Sequence, residues 1–154
     1  HPTVPRDRIV AQVNLDMIGR GGRGEEIGGG PWYLQLIGAR RLSSQLGDVI
    51  DDVNRRGRYR WAFDYQYDAP GHPEQFYCRS DHYMYARHGI PVVFVTTGSH
   101  ADYHQVTDEV QYIDFEKLAR VTSFTRDLAR AIADRPERLV VDHPRPNPRG
   151  TCIQ

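Results

Sequence analysis

One stretch constrains the fold more than any other: Ser80 to Glu109, which reads SDHYMYARHGIPVVFVTTGSHADYHQVTDE. A Ser-Asp pair at its start can cap a helix running through Tyr83, Met84 and Tyr85 to Gly89. Ile90-Pro91 then leads into an uninterrupted apolar run, Val92 to Thr97, the pattern of a strand buried on both faces. The strand empties into a loop carrying His100, Asp102, Tyr103, His104, Asp108 and Glu109. Imidazoles and carboxylates thus collect beyond the carboxyl end of a buried strand. In open α/β sheets that edge is where ligands bind.

A chain of 154 residues suits one domain with a core of its own. Twenty basic and twenty acidic residues cancel, so no general field draws the chain to nucleic acid or to a membrane surface. No apolar run approaches the roughly 18 residues of a membrane span, and no signal peptide is visible. Cys78 and Cys152 are too few for a disulfide framework and lack zinc-ribbon spacing, and their pairing stays open. Because the chain starts at His1, either a leader has been removed or this is a piece of something longer.

Before the central stretch, Arg8 to Ile18 alternates as a strand, with Val13, Leu15 and Met17 on one face and Gln12, Asn14 and Asp16 on the other. Asp is depleted in strands. Asp16 is therefore either a strand-end residue that starts a turn or a group placed there for its chemistry. Gly19 to Gly30 holds seven glycines, and Gly19, Gly21 and Gly24 formally match a dinucleotide fingerprint. Glu25 and Glu26 follow where a phosphate cradle needs a helix start, so a flexible loop fits better. From Pro31, helical spacing predicts a packing helix through Trp32, Leu36, Ile37, Leu42, Leu46, Val49, Ile50 and Val53, ending near Gly57. Trp61, Phe63, Tyr65 and Tyr67 alternate in a strand whose aromatic face is expected to belong to the core, the alternative being a wall that contacts substrate. Asp68 to Phe76 reads as a turn-rich connector. After the central stretch, Asp114 caps a helix that presents Leu118, Val121, Thr122, Thr125, Leu128, Ala129 and Ile132 to the sheet. The Pro-rich remainder, 135–154, is expected to be extended or disordered, leaving 1–134 as the folded portion.

On spacing alone, His100-x-Asp102-x-His104 offers three oxygen or nitrogen donors of the kinds zinc accepts. Asp16 strengthens the pattern, since neighbouring parallel strands deliver their carboxyl ends to one place. At this point the chain resembles the C-terminal half of the co-catalytic zinc aminopeptidases, a group with glutaminyl-cyclase-like and carboxypeptidase-like relatives. The likeness rests on Asn14-Leu15-Asp16-Met17-Ile18-Gly19, on Ser80-Asp81-His82 through Gly89-Ile90-Pro91, and on Asp102-Tyr103-His104 with Asp108. The resemblance implies that Asp16 and His104 each ligate one of two zinc ions. It implies too that Tyr103 donates a hydrogen bond to the oxyanion, and that Asp108 orients the metal-binding imidazole. Ser80 and Asp81 are read as the helix cap of this corner.

The family pattern also calls for an upstream His-x-Asp pair and a Glu-Glu pair, and neither precedes Asp16 here. Glu25-Glu26 stands on the wrong side of Asp16 and receives no role. The expected architecture is α/β: a partial, mostly parallel open sheet of about four strands, part of a zinc-exopeptidase-like three-layer fold. One sheet edge is expected to be exposed, inviting a homodimer. The implied function is a fragment of a zinc-dependent aminopeptidase acting on peptide amino termini, inactive alone. The rival is a non-catalytic binding or assembly module on the same fold.

Overall fold

The computed structural model describes residues 3–21 and 29–154. The centre of the glycine loop, with Gly24, Glu25 and Glu26, lies outside the described residues. Four strands form one sheet in the order β1 (Gln12–Leu15), β4 (Val92–Thr96), β2 (Tyr33–Ile37), β3 (Ala62–Asp64). β1 pairs with β4 in parallel and β2 with β3 in parallel, while β2 and β4 run antiparallel. Two of the three pairings are parallel, as expected. β4 is buried along its whole length, which is what its unbroken apolar run demands.

Helices α1 (Ser44–Arg56) and α3 (Phe115–Ala133) cover one face. Leu34, Leu36, Val93 and Val95 from the sheet meet Leu46 and Ile50 of α1 and Val121, Phe124 and Leu128 of α3 in the larger core cluster. The short α2 (His82–Ala86) covers the other face, where Ile37, Val92 and Phe94 pack with Tyr77, Tyr83 and Ala86. The result is a three-layer sandwich.

The single helix expected from Pro31 to Gly57 is instead a strand followed by a helix. Tyr33-Leu34-Gln35-Leu36-Ile37 fills the sheet centre, and a short apolar run suits a buried strand as well as a helix. Gly38, at φ +83°, makes the break, and Ser43 then caps α1 by accepting from the Leu46 amide at 3.3 Å. The second half of the expected stripe, from Leu46 to Val53, is helical, while Leu42 lies before the helix. Trp32 is left exposed.

Three smaller differences follow from packing. The strand at Tyr59–Tyr67 shrinks to Ala62–Asp64, although Trp61, Phe63 and Tyr65 do face the core. The buried stripe of α3 is Lys117, Val121, Phe124, Thr125, Leu128 and Ile132, rotated from the expected one so that Thr122 and Ala129 point outward. The 135–154 segment has no helix or strand, yet it is fastened to the body. Leu139 joins the larger core, Cys152 is disulfide-bonded to Cys78, and the Gln154 side chain accepts from the Tyr77 amide at 3.0 Å. No helix among the described residues is long and apolar enough to cross a membrane.

Candidate functional site

The parallel pairing of β1 with β4 sends both strands' carboxyl ends to one edge of the sheet. Asp16 is the first residue past β1, and its amide still donates to the Val95 carbonyl at 3.3 Å. Met17 then enters the left-handed region at φ +57°, and Thr97 clasps its carbonyl by amide (3.1 Å) and hydroxyl (2.7 Å). This clasp turns the chain sharply and leaves the Asp16 carboxylate exposed at the edge.

Ser80 takes a different part from the helix cap expected of it. α2 is only five residues long, and its N-cap, Asp81, makes no side-chain capping bond. The Ser80 hydroxyl instead donates to Asp16 Oδ2 at 3.0 Å and accepts from the buried Asn14 amide at 2.8 Å. Asn14, in the middle of the polar face of β1, is thus buried against the segment that leads into α2, while Asp16 stays exposed. A hydroxyl held by a buried amide fixes one oxygen of the carboxylate and leaves the other available.

After β4, the chain runs through His100 to His104 in tight turns. Tyr103 and His104 stack face to face, with ring centres 3.9 Å apart and 23° between planes. His104 is exposed and held at φ +58°, a region costly for a residue with a Cβ. The Tyr103 hydroxyl accepts from an Arg79 guanidinium nitrogen at 3.2 Å. Asp108 turns toward other partners than His104: it accepts from Arg20 at 2.7 Å and stands 3.9 Å from His100 Nε2. Asp102 accepts from Arg20 at 2.9 Å and from the Thr107 hydroxyl at 2.7 Å. Those two hydrogen bonds hold the Asp102 carboxyl below its ordinary range. His100 is buried, with Nδ1 lacking a hydrogen-bond partner.

These contacts bear on metal binding. Asp102 and Asp108, two of the loop's three carboxylates, are engaged by one arginine. Asp16, His104 and Glu109 are exposed donors here, and no group of three or more His, Cys, Asp or Glu among the described residues could hold an ion. A zinc ion needs three or four protein ligands for a stable site. The described residues alone therefore do not make a zinc centre.

Behind the site, His82 is fully buried and stacks on Phe94 at 5.1 Å. Burial pushes its pKa down to about 4, the Tyr77 backbone opposing this and the Arg41 charge adding to it. A histidine depressed in the fold is protonated first when unfolded. Its contribution to stability is complete above the unfolded value near 6.5 and is lost as pH falls toward 4. We expect stability to decline across that window, and His82→Phe to flatten the decline. Urea titrations between pH 4 and 7 check this, and parallel curves for the two chains would contradict it.

The parallel pairing of β1 with β4 sets Asp16, and the loop that runs on to His104, beyond one edge of the sheet in a three-layer α/β sandwich. The chain belongs to peptidase family M28, whose family model matches residues 1–129. This family is generally zinc-dependent. No curated protein and no solved structure matches the chain.

Proposed function

We propose that this chain supplies part of a two-zinc aminopeptidase centre: Asp16 to one ion and His104 to the other, with Tyr103 facing the developing oxyanion. The observation that carries this reading is the held Asp16 carboxylate at the end of β1, beside the strand that leads to His104. Zinc, when bound, lowers the pKa of a coordinated water and polarises the peptide carbonyl. The reaction assigned to the complete centre is removal of an amino-terminal residue from a peptide. The chain lacks a general base in its assigned residues, so it is inactive alone in this reading.

In support, the Ser80–Asn14 pair orients Asp16 by the kind of indirect hydrogen bonding that metal ligands ordinarily receive. Against a role for Tyr103 in the resting chain stands its bond to Arg79, which a substrate would have to displace. The test is zinc titration followed through the imidazole signals in NMR. His104 is expected to move first and His88, His143 and His72 later. If those exposed or half-buried histidines respond before His104, the assignment fails.

One observation favours an assembly role beside this one. β1 is an outer strand of the sheet, bonded to β4 on one side, with Val10 and Leu15 exposed beside it. We propose that this edge pairs with a second copy of the chain or with the rest of a larger sheet. Sedimentation of the chain with and without Leu15→Lys checks the first: a dimer should dissociate, and an unchanged dimer would place the contact elsewhere.

A further inference from the structure

Arg20 joins the two halves of the site. It follows Gly19, whose carbonyl accepts from the Asp114 amide at 2.9 Å, so its backbone is pinned to the start of α3. Its side chain is only 10 % exposed, and Tyr112 lies against the guanidinium at 5.0 Å. One terminal nitrogen donates to Asp108 at 2.7 Å and the other to Asp102 at 2.9 Å. These two carboxylates bracket Tyr103 and His104.

Between them the backbone closes on itself. Gln105 donates to the Asp102 carbonyl at 2.8 Å, and Asp108 donates to the Gln105 carbonyl at 3.2 Å. The left-handed His104 sits inside this turn. A non-glycine residue there is strained and persists where its surroundings impose it. Two carboxylates close together would also repel each other without a cation between them. The planar fork of arginine serves both at once, which the point charge of lysine does not.

We propose that Arg20 is the positioning residue of this loop. By clamping Asp102 and Asp108 it imposes the turn that presents His104 stacked on Tyr103. By engaging both carboxylates it leaves the imidazole as an outward-facing donor of the turn. The second half of this inference rests on the assignment of His104 as a metal ligand; the first does not.

The test compares Arg20→Gln and Arg20→Lys with the parent chain, free of metal. In Arg20→Gln the Gln105 and Asp108 amides should exchange hydrogen about tenfold faster, with β4 and α3 changed less than about twofold. The His104 imidazole signal should lose its ring-current shift from Tyr103 and move to the position of an exposed histidine. Arg20→Lys should resemble Arg20→Gln. If Arg20→Gln does not fold, Asp102→Asn, which leaves the arginine its other partner, carries the same readouts. Unchanged exchange and an unmoved His104 signal overturn the clamp. So does acceleration spread evenly over β4 and α3, or full restoration by lysine. Zinc added afterwards reads the ligand assignment separately: a parent His104 signal indifferent to zinc removes the ligand and leaves the clamp standing.

Discussion

Replacing Cys78 and Cys152 together by serine is expected to lower the unfolding free energy by about 4 kcal/mol. The cross-link spans 74 residues of sequence. Chain-entropy reasoning assigns a loop of that length roughly 4 kcal/mol at 25 °C. For a chain of this size that is a fall of roughly 10 °C in melting midpoint. The loss should begin with the 135–154 segment, because Cys152 anchors a stretch that has no regular hydrogen-bond ladder of its own. Leu139, the Gln154 side chain and the hydrogen bonds joining Asp142, His143 and Arg138 to the body then remain to hold it. Calorimetry of oxidised and serine chains measures the difference. A shift below about 2 °C would show that the tail contributes little to the fold. Disulfides of this kind persist in oxidising compartments, so the native protein should yield the Cys78–Cys152 peptide intact under non-reducing digestion.

The second large effect is expected at Lys117. Its side chain is almost wholly buried on α3, yet its ammonium donates to the Gly21 carbonyl at 2.7 Å and the Gly30 carbonyl at 2.9 Å. Those two carbonyls flank the glycine loop, so one cation ties both of the loop's ends to the helix that backs the sheet. Hydrogen bonds to charged groups contribute about 1.5–3 kcal/mol each, and a buried carbonyl left without its donor loses more than the bond. Lys117→Met keeps the length of the side chain and removes the charge. We expect it to cost about 3 kcal/mol by urea denaturation. A cost under 1 kcal/mol would mean that water or another donor replaces the ammonium without penalty.

Much of this architecture is legible in the sequence wherever a residue's environment follows from its neighbours along the chain. The Val92–Thr97 run could be little else than a central strand, and Asp114 caps α3 where its position predicts, accepting from the Lys117 amide at 2.9 Å. The strand at Tyr33–Ile37 was hidden because its spacing of apolar residues also satisfies a helix. Only the sheet, by providing β3 and β4 on either side, decides between them. Apolar spacing places Leu118 and Thr122 in the inward stripe of α3, and nothing local marks Lys117 as buried. Its burial depends on two carbonyls far away in sequence.

The site divides in the same way. Strand-end placement marks Asp16, and donor spacing marks His100, Asp102 and His104 without separating them. The ligand roles of Asp16 and His104 come from the family resemblance. Ser80 could not be separated from an ordinary helix cap, since Ser-Asp before a helical run is the usual capping pattern. Its bond to Asp16 joins residues 64 apart in the chain. Arg20 carried no signal of its own, standing in a glycine loop with further arginine nearby, and its partners lie 82 and 88 residues on. An orienting role for Asp108 was reasonable from chemistry, but its contacts go to Arg20 and His100.

The most direct measurement is isothermal titration of zinc into the metal-free chain, beside Asp16→Ala and His104→Ala. One donor for each ion makes weak binding, so a dissociation constant above roughly 10 μM is expected, weakened further in each variant. Sub-micromolar, stoichiometric binding that survives both substitutions would contradict the account, because zinc would then be held by residues other than Asp16 and His104.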